Sequence, residues 1–367
     1  MTKQVVIFSK TNWSELPRMR HQIAKLFLQN GWSVLFFEKP LFFWNFRVEN
    51  IFVGVDLEVI KTKQLLHHRL RIFSILNYIN SYYEKKSIQR ALRERLESIE
   101  LVINFNYDYF FLRDFLGNKK IITIINDDFI NSGGVFSNKF KKTQSMTCSI
   151  SDAVLGVSTP ILNFLPSHSN PEIFLPWSDD LYTYPKKRLA VKRNKVLLWG
   201  YLHNDIDFQL IGEASKELKD FEFLLVGPIN KKCNKIIRII LNSNENIKAI
   251  SATKLKDLPL EECCAGIHVY KSRSVLGRSI SMSNKTLKLA AYGIPIVTYG
   301  VENFIKHAGI INSKTLSEFI KGIRYSQVNF YSMQKGLRHL VDSNQGFHRY
   351  SKLCEIVKIK EGVNVFK

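Results

Sequence analysis

The runs Gln4-Val-Val-Ile-Phe8 and Trp32-Ser-Val-Leu-Phe-Phe37, with what lies between them, decide how this chain folds. Each has the length and apolar character of a buried strand. A polar loop (9–17) follows the first, a helical stretch (about 18–30) follows the loop, and Gly31 stops the helix. Strand, helix and strand in that order imply a parallel sheet with right-handed crossovers. Ligands of such sheets bind beyond the carboxyl ends of the strands, so the loop carrying Asn12, Trp13, Ser14 and Arg18 faces a cleft by topology. Simple packing is the other reading of Trp13.

Working outward, residues 101–105 and 120–125 read as further strands, and the second runs into Asn126-Asp127-Asp128-Phe129. Two carboxylates at the carboxyl end of a strand stand where a general base belongs; a turn or helix-cap aspartate is the alternative. A strand over 153–157 then leads to Ser158-Thr159-Pro160, a helix start with proline near the first turn. Residues 173–177 form one more short strand, and the polar, lysine-rich connector 179–195 marks the domain boundary. Past it the grammar repeats: strand 195–199, loop 200–205, helix 208–217, strand 221–226, the turn Gly227-Pro228, a basic helix 231–241, strand 247–250, helix 258–264 and strand 266–270. The expectation is an α/β chain of two Rossmann-like parallel-sheet domains, 1–185 and 190–344, facing a central cleft. A last helix, about 345–367, packs back on the first domain.

The segment 281–300 says most about chemistry. Ser283, Asn284 and Lys285 make a small, positively charged turn before a helical run (287–292), Gly293 caps that run, and 294–297 is a strand. A helix N-terminus presents unpaired N–H groups and partial positive charge, and a lysine in the first turn adds a full one, so the layout suits a diphosphate held with no metal ion. An ordinary capped surface helix has the same residues.

Bulk properties narrow the partners. Fifty-three Lys+Arg against 32 Asp+Glu in 367 residues give a formal charge of +21, which draws nucleic acid, anionic lipid or anionic small molecules. No nucleic-acid-binding module is recognisable, so nucleic acid is not expected as a partner. The five cysteines show no ligand spacing; adjacent Cys263 and Cys264 read as small helix residues, and a reducing compartment is expected. No signal peptide and no spanning segment is visible. The aromatic run 40–47 and the long helical region 65–96, which carries His67, His68, Arg69, Arg71, Lys85, Lys86, Arg90, Arg93 and Arg95, fit either an anionic membrane surface or a solvated helix face.

Taken together, Trp199-Gly-Tyr-Leu-His203, Phe223-Leu-Leu-Val-Gly-Pro228, Gly266-Ile-His-Val-Tyr-Lys271 and Ser283-Asn-Lys-Thr-Leu-Lys-Leu-Ala-Ala-Tyr-Gly-Ile-Pro-Ile-Val297 resemble the donor-binding half of GT-B glycosyltransferases. The likeness is to bacterial surface-polysaccharide enzymes, of the glycosyltransferase group 1 and glucuronosyltransferase-like type. The first half agrees through Phe8 to Trp13, Arg20-His21-Gln22-Ile23-Ala24 and Phe36-Phe37-Glu38-Lys39-Pro40. The resemblance implies a donor nucleotide-sugar as substrate, bound by Gly200, Gly227, Pro228, Tyr270, Lys271, Ser283, Asn284 and Lys285. It implies Asp127 or Asp128 as the base that deprotonates an acceptor hydroxyl. It places Asn12, Trp13, Arg18, Arg20 and His21 toward a glycolipid or oligosaccharide acceptor. No cofactor and no metal are expected, and the location implied is the cytoplasmic face of the inner membrane. The two-glutamate signature of retaining relatives is missing, with Lys288 and Ile280 in its places, which favours inversion. A non-catalytic sugar-nucleotide or polyanion-binding protein on the same fold is the alternative.

Overall fold

The computed structural model describes residues 3–358 apart from 16, 46–49, 67–73, 133, 186–190, 273 and 357. Arg47 and the basic residues His67, His68, Arg69 and Arg71 lie outside the described residues, as does 359–367 of the expected last helix. The chain divides into two compact units, residues 1–174 with 347–367, and residues 175–346.

The first unit is built on an eight-stranded sheet among the described residues. Gln4–Phe8 lies in its middle, paired in parallel with Ser33–Phe37 on one side and Ile99–Asn104 on the other. Leu57–Ile60 and the antiparallel edge strand Ile51–Phe52 extend the first side; Lys120–Ile125, Ala153–Gly156 and Glu172–Ile173 extend the second. Val5, Val6, Ile7 and Phe8 are wholly buried, the expected state of a strand covered on both faces, and each such side chain contributes about 1.5–3 kcal/mol. The helix Met19–Gln29 and, from Phe347 on, the helix Gly346–Ile356 belong to this unit, and the Trp32 indole N–H donates to the Tyr350 hydroxyl at 2.9 Å.

The second unit carries six parallel strands in the order Ile247–Ile250, Glu222–Val226, Lys195–Trp199, Cys263–Val269, Ile296–Tyr299, Ile310–Ser313. That is the doubly wound order 3-2-1-4-5-6, with helices Phe208–Glu217, Asn234–Ser243, Asn284–Ala291, Leu316–Val328 and Gln334–Asp342 following its strands. The helix expected at 258–264 is absent. Cys263 and Cys264 instead open the strand Cys263–Val269, all of it buried, because a run buried on both faces of a sheet has no period to betray it. All five cysteines are buried free thiols. The connector 179–195 lies in the second unit: the Thr183 N–H donates to the Ala291 carbonyl at 2.7 Å and the Tyr182 hydroxyl to Gln334 Oε1 at 2.7 Å. Its polarity marks the surface it crosses, while these two bonds fix it.

Candidate functional site

In the second unit the chain leaves Lys195–Trp199 toward one sheet edge and later returns on the other side with Cys263–Val269, so the switch point lies between Gly200 and Tyr270. Backbone crowds there. Gly200 has φ +120° and donates its N–H to the Val226 carbonyl at 2.8 Å. Gly227 has φ +143°, and a Cβ on it would land on the Gly200 carbonyl oxygen. Only glycine fits such angles at such a distance.

Above this floor starts the helix Asn284–Ala291. The N-cap Ser283 hydroxyl accepts from the Thr286 N–H at 3.2 Å, and the Thr286 hydroxyl meets both Ser283 Oγ at 2.9 Å and His268 Nε2 at 3.1 Å. Burial first, and Lys285 second, pull the His268 pKa down to about 3, so this ring is neutral and serves as a fixed anchor for the helix start. Asn284 and Lys285 are therefore the first two helical residues rather than part of a preceding turn. The Lys285 side chain lies across Gly200: a Cβ on that glycine would stand 2.6 Å from the lysine Nζ. Burial lowers the Lys285 pKa, and among the described residues neither its ammonium nor its backbone N–H meets an acceptor or a carboxylate. A desolvated cation beside a helix N-terminus, with no anion of the protein's own, is equipped to take one from solution.

His203, not singled out in the sequence, stands at the same place. Its Nδ1 is 3.3 Å from Asp205 Oδ2, Asp205 Oδ1 accepts from the Ser274 hydroxyl at 3.0 Å, and its ring lies 6.0 Å from that of Tyr270. Burial and then Lys285 lower its pKa, and Asp205 opposes them. Its position three residues past Gly200 at the switch loop was the available signal. Tyr270 is buried, with its hydroxyl pushed up to about 12 by burial, whereas Lys271 and Pro228 are exposed.

The first unit holds a second constellation at the carboxyl ends of its strands. The two aspartates part company. Asp128 caps the short helix Phe129–Ser132, accepting from the Asn131 N–H at 2.9 Å and its side-chain amide at 2.7 Å. Asp127 accepts from Asn126 Nδ2 at 2.8 Å through Oδ2, and Oδ1 meets no donor among the described residues. Asp127 is open to solvent yet hemmed in by protein, and desolvation raises its pKa against the pull of Arg20 and Arg18. Both aspartates line one small recess with Phe129, Ile161 and Phe164.

No protein-family model matches the chain, and no curated protein matches it in sequence. Solved structures do. Sucrose-phosphate synthase from Thermosynechococcus elongatus matches with a TM-score of 0.71 at 12% identity, over 97% of this chain and 98% of that one. The lipopolysaccharide outer core galactosyltransferase WaaB matches at 0.67 and 10% identity, over 97% and 99%. HepE of Anabaena in complex with UDP-glucose matches at 0.65 and 10% identity, over 97% and 99%. The chain has the GT-B fold.

Against that fold, the residues expected at the acceptor side divide by exposure. Arg18 is exposed, and Asn12 and Trp13 are partly so. Arg20 and His21 are buried. His21 Nδ1 accepts from the Arg18 N–H at 3.1 Å, which leaves Nε2 to carry the proton and donate to the Asn12 carbonyl at 3.2 Å. His21 thus closes the loop with both ring nitrogens engaged. Arg20 reaches the Thr11 hydroxyl and, at 3.1 Å, Asn126 Oδ1, so it braces the residue that holds Asp127. The expected donor-side residues Gly200, Gly227, Tyr270, Ser283 and Lys285 do converge on the switch point of this GT-B chain.

Proposed function

We propose that this GT-B chain transfers a sugar from a nucleotide-sugar to a hydroxyl of a glycolipid or oligosaccharide acceptor. One observation carries the reading: the Lys285 ammonium lies over Gly200 at the switch point, partly desolvated and, among the described residues, without a counter-anion. In the reaction we propose, Lys285 and the N–H groups of its helix hold the donor diphosphate. Asp127 takes the proton of the acceptor hydroxyl as that oxygen bonds to the anomeric carbon. The bond from that carbon to the diphosphate breaks, the nucleoside diphosphate leaves with the electron pair, and Lys285 stabilises the growing charge. Attack opposite the leaving group inverts the anomeric centre, and the absence of the two-glutamate signature at Ile280 and Lys288 favours that course. Lysine and helix terminus supply the positive charge, so no metal is required. UDP or UDP-glucose appears in the HepE structures, which makes UDP the first nucleotide to try.

The test is a melting-temperature screen with UDP, GDP, CMP and dTDP sugars, followed by assay of sugar release from whichever binds. One nucleotide should raise the melting temperature in a concentration-dependent way. If none does, and none is turned over, the proposal fails.

A further inference from the structure

A helix at a protein surface ordinarily buries its apolar stripe and shows its polar one to water. Over its first half, the helix Ser74–Leu92 does the reverse. Asn80 and Glu84 are 0% and 1% exposed, while Ile75 and Tyr78 are 74% and 72% exposed. Asn80 has a reason to face inward, since its Oδ1 accepts the Leu65 and Leu66 N–H groups at 2.9 Å each and so ties the helix to the neighbouring ribbon. No such reason holds the apolar residues outward. Ile75, Ile79 and Tyr82 follow at helical spacing with Tyr78 beside them, and all four are exposed. Along the same stripe come Lys86 and Arg90, exposed as well, with Lys86 Nζ 5.6 Å from the centre of the Tyr82 ring. On the adjoining ribbon, where Leu41–Phe42 pairs with Lys63–Gln64, Phe43 and Trp44 are also exposed.

We infer that this stripe lies on an anionic lipid bilayer, with Ile75, Tyr78, Ile79 and Tyr82 in the boundary between headgroups and acyl chains and with Lys86 and Arg90 among the headgroups. The order of residues suits that surface. Tyrosines offer an apolar ring and a polar tip to a boundary that is dry on one side and wet on the other, and cations beyond them meet lipid phosphates. Charge decides against a second copy of the chain as the occupant. Each copy carries +21, so a symmetric pair would join two strongly cationic molecules and set the Lys86 and Arg90 charges of each beside the apolar end of the other, whereas an anionic bilayer complements both the stripe and the whole molecule. Among the described residues no helix is long and apolar enough to cross a membrane. None of these residues belongs to the donor or base constellations, so the inference stands apart from the transfer reading.

The experiment is co-sedimentation of the full chain with vesicles of phosphatidylcholine alone and with one-third phosphatidylglycerol. The chain should sediment with the anionic vesicles at low salt and be partly released as salt shortens the screening length from about 10 Å at 0.1 M to about 3 Å at 1 M. Ile75→Glu with Ile79→Glu should lower partitioning at least about tenfold, and Lys86→Glu with Arg90→Glu should abolish the preference for anionic lipid. Both pairs are exposed, so melting temperature should hold, and a UDP-induced rise measured on the same samples reports separately on the donor site. Failure of the wild-type chain to sediment, or undiminished sedimentation of the Ile75/Ile79 variant, overturns the inference. So does a wild-type dimer in light scattering that this variant converts to a monomer.

Discussion

Lys285→Met should weaken nucleotide binding and leave the unliganded protein as stable as before, or more so. The two effects have opposite signs because the wild-type ammonium is partly desolvated and unpaired among the described residues: folding gains nothing from its charge, and a ligand does. A phosphate oxygen roughly 4 Å from that charge, at an effective dielectric near 20, is worth about 4 kcal/mol before desolvation of the ligand is subtracted. Truncation of charge-assisted hydrogen bonds returns about 1.5–3 kcal/mol, and the upper part of that range, about 2–3 kcal/mol, is appropriate for a site already out of water. At 1.4 kcal/mol per tenfold, the expected loss is about 30- to 150-fold in the UDP dissociation constant. Titration calorimetry measures it.

The unliganded protein supplies the other half of the test. Because burial lowers the Lys285 pKa in the folded state, the unfolded chain binds more protons between that lowered value and the ordinary lysine value of about 10.4. Stability contributed by this residue therefore rises with pH across that interval, and methionine, which cannot be protonated, should flatten the rise. Urea melts of both proteins from pH 7 to pH 10 report it. A variant that binds UDP within threefold of the wild type refutes the anion-site argument. One that is destabilised without ligand by more than about 1 kcal/mol shows instead that the ammonium was holding the fold together.

Two glycines at the switch point should fail differently. A methyl on Gly200 carries the strain of a φ of +120° but meets only the movable end of Lys285, so Gly200→Ala should lose about 1 kcal/mol or more of stability and bind UDP poorly, whereas Gly227→Ala adds to its own strain a collision with the Gly200 carbonyl and should cost more than about 2 kcal/mol in denaturant melts. Asp127→Asn should lose turnover with UDP affinity intact; Asp128→Ala should instead lose about 1 kcal/mol of stability, the usual worth of an N-cap, with a smaller effect on rate. Arg20→Gln removes the charge that holds the Asp127 pKa down against burial, so the acid limb of the pH–rate profile should move to higher pH, and Arg20→Lys should restore it in part. His268, with its folded pKa near 3 against about 6.5 in the unfolded chain, makes the unfolded state bind more protons in between, so acidification through that window should destabilise the protein by at most about 1.4 kcal/mol per pH unit; His268→Gln should flatten the slope in urea melts.

Strands bounded by turn residues were legible. Gln4–Phe8, Lys120–Ile125, Lys195–Trp199 and Ile247–Ile250 lie where their apolar runs predicted them, because turn residues bound each run. Cys263–Val269 was misread at its start, since Leu260-Glu261-Glu262 runs into Cys263 with no turn residue to bound the strand. The strand Ile310–Ser313 and the helix Gln334–Asp342 were not foreseen; the strand is only four residues long, and polar Asn312 and Ser313 fill half of it. Lys285 was legible as a first-turn lysine, but its lack of an acidic partner was not, because that depends on every side chain the fold could have brought near. His203 and Asp205 escaped for a related reason: two residues apart in a loop, they meet only because Ser274 and the Tyr270 strand end hold Asp205 in place. Arg20 and His21 show the converse, being polar residues that the fold buries and bonds internally, His21 within its own loop and Arg20 to Thr11 and Asn126.

Two features of this chain leave free energy uncollected while it stands alone. At the switch point, Ser283, Thr286 and His268 fix a helix start whose lysine meets no anion among the described residues, although one glutamate in reach would have satisfied it. On the helix Ser74–Leu92, Asn80 and Glu84 turn inward while isoleucines and tyrosines face water, although exchanging the two sets would have suited an isolated fold better. Neither arrangement follows from stability, and their chemistries differ. The first wants a compact anion and the second an extended, apolar, negatively charged surface. A protein that joined a soluble phosphorylated donor to an acceptor embedded in lipid would need both wants at once, each met by a different partner, and either can be removed by substitution without touching the other.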